Sequence, residues 1–178
     1  MMITPFSWLD VDQQGSVLVM LFIASSALMK ILSTIGRELT IRSEKIPFGI
    51  INLELSWSEQ QASSIVKAWS DRGLIAKAVQ QTQLDFVLLL LYPATLSLAC
   101  TMVAGSASGL MATVGYIFSW AVLFCIPLDA FENFMLFKML AGSCNSPIPQ
   151  LTSVSATLKF FLFISSVLYM LYVLILNV

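Results

Sequence analysis

The side chains best placed to do chemistry are acids set in or against apolar runs: Leu84-Asp85, with Tyr92 seven residues on, and Leu128-Asp129-Ala130-Phe131-Glu132-Asn133. A carboxylate in hydrocarbon is costly, so it normally faces a partner, a cavity or a pathway. Asp129, Glu132 and Asn133 stand at i, i+3 and i+4, on one face of a helix. Asp85 and Tyr92 lie about two turns apart and share a face as well. Lys30 and Lys159 are the cations available to neutralise two of the three acids.

Three kinds of chemistry are open to this set. It forms a structural network in which Lys30, Lys159, Asn133 and Tyr92 satisfy the acids. Or it is a binding or proton-handling site, where an acid without a cation exchanges protons near neutrality. Or the acids reach the headgroup layer and stay hydrated.

Other chemistries lack their residues. Histidine is absent, which removes the usual haem ligand, the commonest zinc ligand and the commonest general base. Cys100, Cys125 and Cys144 are scattered and form no C-x-x-C pair, so a thiol–disulfide relay is not expected; Cys100 and Cys125 read as small packed hydrophobes. No metal site is expected. Gly105-Ser106-Ala107-Ser108-Gly109 lacks the strand and Lys-Thr of a phosphate loop, and its G-x-x-x-G straddles a turn. No base stands beside Ser25, Ser26, Ser119, Ser165 or Ser166. No cofactor is evident, although nine methionines and twelve phenylalanines leave room for a bound lipid, pigment or quinone.

The elements that must position the acids are membrane helices. Of 178 residues, 58% are hydrophobic and 11% charged, with a net charge of -1 and a mean hydropathy of +0.87. A soluble domain carries about 25% charged residues, so lipid must cover part of this chain, and nucleic acid is not an expected partner. Four segments reach the roughly 20 apolar residues a span requires. They cover residues 15–36, 84–104, 109–140 (apolar to Pro127, then continuing as helix) and 151–176. The first is too long, and too polar at its end, for a typical cleaved signal peptide. Pro93 and Pro127 are expected to bend spans two and three, and Pro93 to free the carbonyl of Leu89.

Residues 37–83 form the one sizeable extramembrane piece. Ile46, Phe48, Ile50, Leu53 and Leu55 alternate and suggest a short extended stretch. Ser56-Trp57-Ser58-Glu59 reads as a capping box, with Ser56 as N-cap and Glu59 at N3. The helix that follows places Ala62, Ile65, Val66 and Trp69 on one face, Gly73 can end it, and a further helical piece over 74–83 leads into span two. This amphipathic segment either lies on the membrane or caps the inner ends of the helices. Capping is preferred, because its six bases are nearly balanced by five acids. Trp57 and Trp69 fit either interfacial anchors or a packed cap.

Basic residues give the orientation. Arg37, Arg42, Lys45, Lys67, Arg72 and Lys77 lie between spans one and two, and Lys138 precedes the link between three and four. The N-terminal flank, residues 105–108 and Asn177-Val178 carry none. The expectation is N-out, C-out, with Lys30, Asp85, Asp129, Glu132, Asn133 and Lys159 all near the inner surface.

The order of these motifs resembles an uncharacterised family of small four-helix bacterial, often cyanobacterial, membrane proteins. The likeness runs through Leu53-Glu54-Leu55, Leu84-Asp85-Phe86 with Tyr92, the Leu128–Asn133 element, Ser146-Pro147-Ile148-Pro149-Gln150 and Ala156-Thr157-Leu158-Lys159-Phe160. The resemblance implies a bacterial inner or thylakoid membrane and a similar bundle, with recurrent positions at Asp85, Tyr92, Asp129, Glu132, Asn133 and Lys159. It implies no reaction, and Lys30 is not part of its pattern.

The expected fold class is thus an all-α membrane protein, a four-helix bundle with a small amphipathic segment between helices one and two. The expected function is that of a non-catalytic accessory or scaffold subunit of a larger membrane assembly, an energy-transducing one among the candidates, with the bilayer and other membrane subunits as partners. The alternative is a stand-alone binder or carrier of a small molecule, lipid or proton through the carboxylates. Enzymatic acid–base chemistry at Tyr92 and the acids ranks third, since no substrate-positioning motif accompanies them.

Overall fold

Apolar side chains in lipid leave the backbone no water to bond with, so a spanning segment must satisfy its own peptide groups as helix or closed barrel. The computed structural model, which describes residues 4–176, is helical accordingly; Asn177 and Val178, invoked above for orientation, lie outside the described residues. The helices are α1 (Val11–Glu38), α2 (Ile50–Glu54), α3 (Glu59–Asp71), α4 (Ile75–Ser106), α5 (Gly109–Ala121), α6 (Cys125–Leu140) and α7 (Ile148–Leu176). Among the described residues, four segments are long and apolar enough to cross a membrane: α1, α4, Gly109–Leu140 and α7. A 28-residue helix is about 42 Å long, against a hydrocarbon layer of about 30 Å, so each span carries turns beyond the apolar layer. Among the described residues there is no strand, only an isolated bridge between Ile41 and Ile46. The protein is an all-α membrane protein of four spans.

Sequence chemistry sets the helix boundaries. Pro127 has no N–H, and its ring would clash with the carbonyl four residues back, that of Leu123. The segment responds with a 3-10 turn at Val122–Phe124 joining α5 to α6. Pro93, by contrast, is accommodated inside an uninterrupted α4. Two glycines stop helices in the same way. Gly73 (φ +69) and Gly142 (φ +96) adopt the left-handed conformation. Leu74 N–H then bonds Trp69 O and Gly73 N–H bonds Ser70 O, while Ser143 N–H bonds Lys138 O and Gly142 N–H bonds Met139 O. Both are Schellman closures, which satisfy the carbonyls a helix end leaves open.

The contact pattern divides the chain into two compact units. One comprises Met1–Ser26, Leu89–Ile126 and Lys159–Val178; the other comprises Ala27–Leu88 and Pro127–Leu158. We call them the first and second units.

The second unit contains the segment between spans one and two, and it has a real core. Leu39, Ile41, Ile46, Ile50, Leu53, Ala62, Ile65, Ala68 and Trp69 are buried together with Ala78 of α4, Leu136, Met139 and Leu140 of α6, and Cys144. Trp69 is fully buried, which contributes about 2–3 kcal/mol, and its indole N–H donates to Leu39 O at 3.0 Å. The segment therefore packs as a cap on α4 and α6, and the face of α3 predicted from Ala62, Ile65, Val66 and Trp69 is the one that packs, with Val66 half-buried.

Two local expectations are corrected here. Residues 50–54 are helix, not an extended stretch. The N-cap of α3 is Ser58, not Ser56: Ser58 Oγ accepts from Gln61 N–H at 3.2 Å. Glu59 is then the first helical residue, and its carboxylate accepts from Ser146 N–H instead of closing a capping box. Ser56 is buried, and Trp57 after it has φ +53, which redirects the chain so that Ser58, extended, opens the helix.

The first unit is held by close apolar contact and hydroxyls. Cys100, Tyr169 and Val173 form its buried centre, with Val103, Met111, Val114 and Phe118 against them. Tyr169 donates to Met111 O at 3.0 Å, and its ring lies 5.6 Å from that of Phe118. Ser25 and Thr95 share a hydrogen bond of 3.0 Å between α1 and α4. Cys100 and Cys125 are buried free thiols.

Candidate functional site: a buried polar layer in the second unit

Asp85 lies ten residues into α4, on the turns that lead from the cap into the apolar part of the helix. Its Oδ2 accepts from Asn133 Nδ2 of α6 at 2.8 Å. The next residue, Phe86, lies against the same helix: its ring is edge-on to Phe134 at 5.4 Å and stacked on Phe137 at 6.1 Å. One polar and two aromatic contacts thus fix the register of α4 against α6.

Asp129 and Glu132 occupy the turn of α6 before Asn133. They are 2% and 0% exposed, and Asn133 is 2% exposed. Burial this complete rules out the reading in which these acids reach the headgroups and stay hydrated. Both carboxylates have interaction partners, as buried charged or polar groups require. Among the described residues, no group of three or more histidine, cysteine, aspartate or glutamate side chains is placed to hold a metal ion.

The other expected members divide. Tyr92 and Lys159 belong to the first unit. Tyr92 lies edge-on to Phe163 at 6.1 Å. Lys159 is buried, with its ammonium 5.2 Å from the Phe160 ring centre and its carbonyl accepting the Cys125 thiol. Lys30 departs from expectation: it is an exposed residue of α1 and does not neutralise a buried acid. Its long stem lets the ammonium reach the interface from a lipid-facing position.

The layer also includes residues the acid pattern does not point to. Ser153 of α7 donates to Glu54 O at 2.8 Å and accepts from Trp57 N–H at 3.0 Å. That relay joins the end of α2, the turn into α3, and α7. Ser155 donates to Leu128 O at 2.8 Å, tying α7 to the first turn of α6. Thr152, Ser153 and Ser155 are all buried. The hydroxyl run Thr152-Ser153-Val154-Ser155 near the start of α7 is the sequence signal for this.

Outside the spans, Lys67 and Cys144 have displaced proton affinities. The hydrogen bond and charge of Asp71 hold the Lys67 ammonium above its usual range. Burial pushes the Cys144 thiol up, partly offset by a hydrogen bond with Ser63. Neither touches the acids of α6.

Comparison with protein-family models, curated proteins and solved structures returns no match. The functional reading therefore rests on this chain's own geometry.

Proposed function

We propose that this chain is a non-catalytic accessory or scaffold subunit of a larger membrane assembly, with an energy-transducing complex among the candidates. The observation that carries the reading is α1: over 28 residues, Leu32 is its buried residue. The first span leaves most of its residues exposed, open to lipid or to another protein. The polar layer supports the same reading. Asp85 and Asn133 clasp two helices, and Ser153 and Ser155 fasten a third, so these four side chains are engaged in fixing register. Such bonds contribute about 0.6 kcal/mol each on average in membranes, which suits positioning more than stabilisation.

The proposal includes the resemblance to small four-helix bacterial membrane proteins, a bacterial inner or thylakoid membrane, and an N-out, C-out topology in which the cap lies inside. Extraction in mild detergent followed by native-gel mass spectrometry tests it. Co-migration with a large complex, lost when bulky residues replace exposed positions of α1, is the expected result. Migration alone overturns it.

A second reading is favoured by the depth of Asp129 and Glu132, which share one helix face and are almost wholly buried. Under it, the chain binds or carries a small molecule, lipid or proton there. Asp129→Asn and Glu132→Gln separate the two: lost assembly with normal helicity supports register-fixing, whereas normal assembly with a lost pH-dependent activity supports a site.

A further inference from the structure

Most apolar surface on this protein lies on the spans, where lipid accounts for it. Three large apolar side chains in the segment between spans one and two need another explanation. Phe48 is 69% exposed, Ile51 41% and Trp57 50%, although the cap they belong to has a well-packed core a few residues away.

Contacts within the second unit fix their depth. Gly49 follows Phe48 and lies directly on the end of α1: a Cβ placed there would stand 2.9 Å from Gly36 O and 3.4 Å from Leu39 Cβ. Gly36 is where the apolar run of α1 gives way to Arg37-Glu38, so Phe48 stands at the border of the hydrocarbon. Trp57 is set by its backbone N–H on Ser153 Oγ. Ser153 lies five residues into α7, about 8 Å along its axis, between the outward-facing Leu151 and Val154. Trp57 therefore sits at the depth where α7 begins to meet lipid. Tryptophan and other aromatic side chains favour this layer, where an apolar ring meets polar headgroups.

Charge points the same way. Glu38 pairs with Lys77 and Glu44 with Arg72, while Lys67 pairs with Asp71. None of these three ion pairs uses Arg37, Arg42 or Lys45, which stay exposed in the stretch of chain leading to Phe48. The acids of this stretch are neutralised from elsewhere in the cap, and its three bases are left to face anions.

We infer that the cap is seated in the headgroup layer of the bilayer, with Phe48, Ile51 and Trp57 inserted among the lipids and Arg37, Arg42 and Lys45 on anionic phosphates. The occupant is lipid, because the patch continues the lipid-facing surfaces of α1 and α7 at their own depth and has the charge that anionic headgroups match.

The test is depth-dependent accessibility in vesicles of phosphatidylcholine with phosphatidylglycerol. The native cysteines are buried, so nitroxide labels go to Phe48→Cys and Trp57→Cys, with Lys67→Cys as the exposed control. We expect collisions with oxygen to exceed those with a water-soluble nickel chelate several-fold at 48 and 57, and the reverse at 67. Nickel accessibility at 48 and 57 equal to that at 67 overturns the inference. So does protection from both reagents, which means a protein covers the patch.

A second measurement avoids labels. Brominated phosphatidylglycerol should quench the fluorescence lost on Trp57→Phe, and Arg42→Glu with Lys45→Glu should reduce that quenching towards the level given by brominated phosphatidylcholine. Quenching of Trp57 by aqueous iodide but not by brominated lipid overturns the inference.

Discussion

Asn133 of α6 donates its side-chain amide to the carboxylate of Asp85 in α4, at 2.8 Å, one residue from the place where Phe86 packs on Phe134 and Phe137. Polar and aromatic contacts set one register together, so removing the polar one should loosen it without releasing the helices. A double-mutant cycle on Asp85→Ala and Asn133→Ala, read by unfolding in mixed micelles, should give a coupling of about 0.6–1.7 kcal/mol, the range for interhelical hydrogen bonds in membranes. A coupling indistinguishable from zero would mean that Phe86 alone sets the register.

Ser153 serves two backbone groups at once, and its loss should be felt at both. Ser153→Ala leaves Trp57 N–H without its acceptor and Glu54 O without its donor. An unmet buried polar group costs about 1–3 kcal/mol. Trp57 is also held at φ +53, a conformation that costs a side-chain-bearing residue about 1–2 kcal/mol and depends on such anchoring. Amide hydrogen exchange over residues 54–58 should accelerate in the variant while that of α3 stays slow. Equal acceleration through α3 would contradict a local role.

These two contacts mark how far the sequence could be read. The spans were legible because four apolar runs exceed the length of a bilayer crossing, and α3 because Ala62, Ile65 and Trp69 repeat at helical spacing. Gly73 announced its own cap. The region from Ile46 to Leu55 was not legible: five residues of helix are too few for a period to appear, and alternating apolar side chains imitate a strand. Ser56 was the expected N-cap and Ser58 takes the place, because Trp57 between them has its amide claimed by a residue 96 positions away. The same limit holds for the acids. Spacing put Asp129, Glu132 and Asn133 on one face, yet only the tertiary packing selects Asn133 as a partner of Asp85 and leaves Lys30 exposed.

Gly115 permits a close helix approach in the first unit. A Cβ there would lie 2.1 Å from Tyr169 Oη, 2.6 Å from Tyr169 Cζ and 2.7 Å from Ala104 Cβ. Gly115→Ala must therefore push away the ring whose hydroxyl bonds Met111 O. Overpacking of this kind costs about 1–3 kcal/mol, read as a lowered Tm in detergent. Tyr169→Phe removes the nearest atom, so the double variant should be less destabilised than the sum of the single ones. Strict additivity would show that the clash is relieved elsewhere.

Cys144 gives the protein a pH dependence that can be isolated. Burial raises its thiol above the ordinary value of 9.0, so in alkali the unfolded chain loses this proton before the folded one does. Fewer protons are then bound in the unfolded state, and stability falls as pH rises. The contribution is fully present below pH 9.0 and is lost as pH climbs towards the raised folded value. Other groups titrate in the same range, so the informative quantity is the difference between the wild-type protein and Cys144→Ala. Thermal unfolding in detergent should show the wild type losing more stability than the variant between pH 8 and pH 10, with the two slopes parallel at lower pH. Alkylation by a maleimide at neutral pH should be slow at Cys144 in the folded protein and fast after unfolding. Parallel slopes throughout, or fast alkylation of the folded protein, would place this thiol in contact with water.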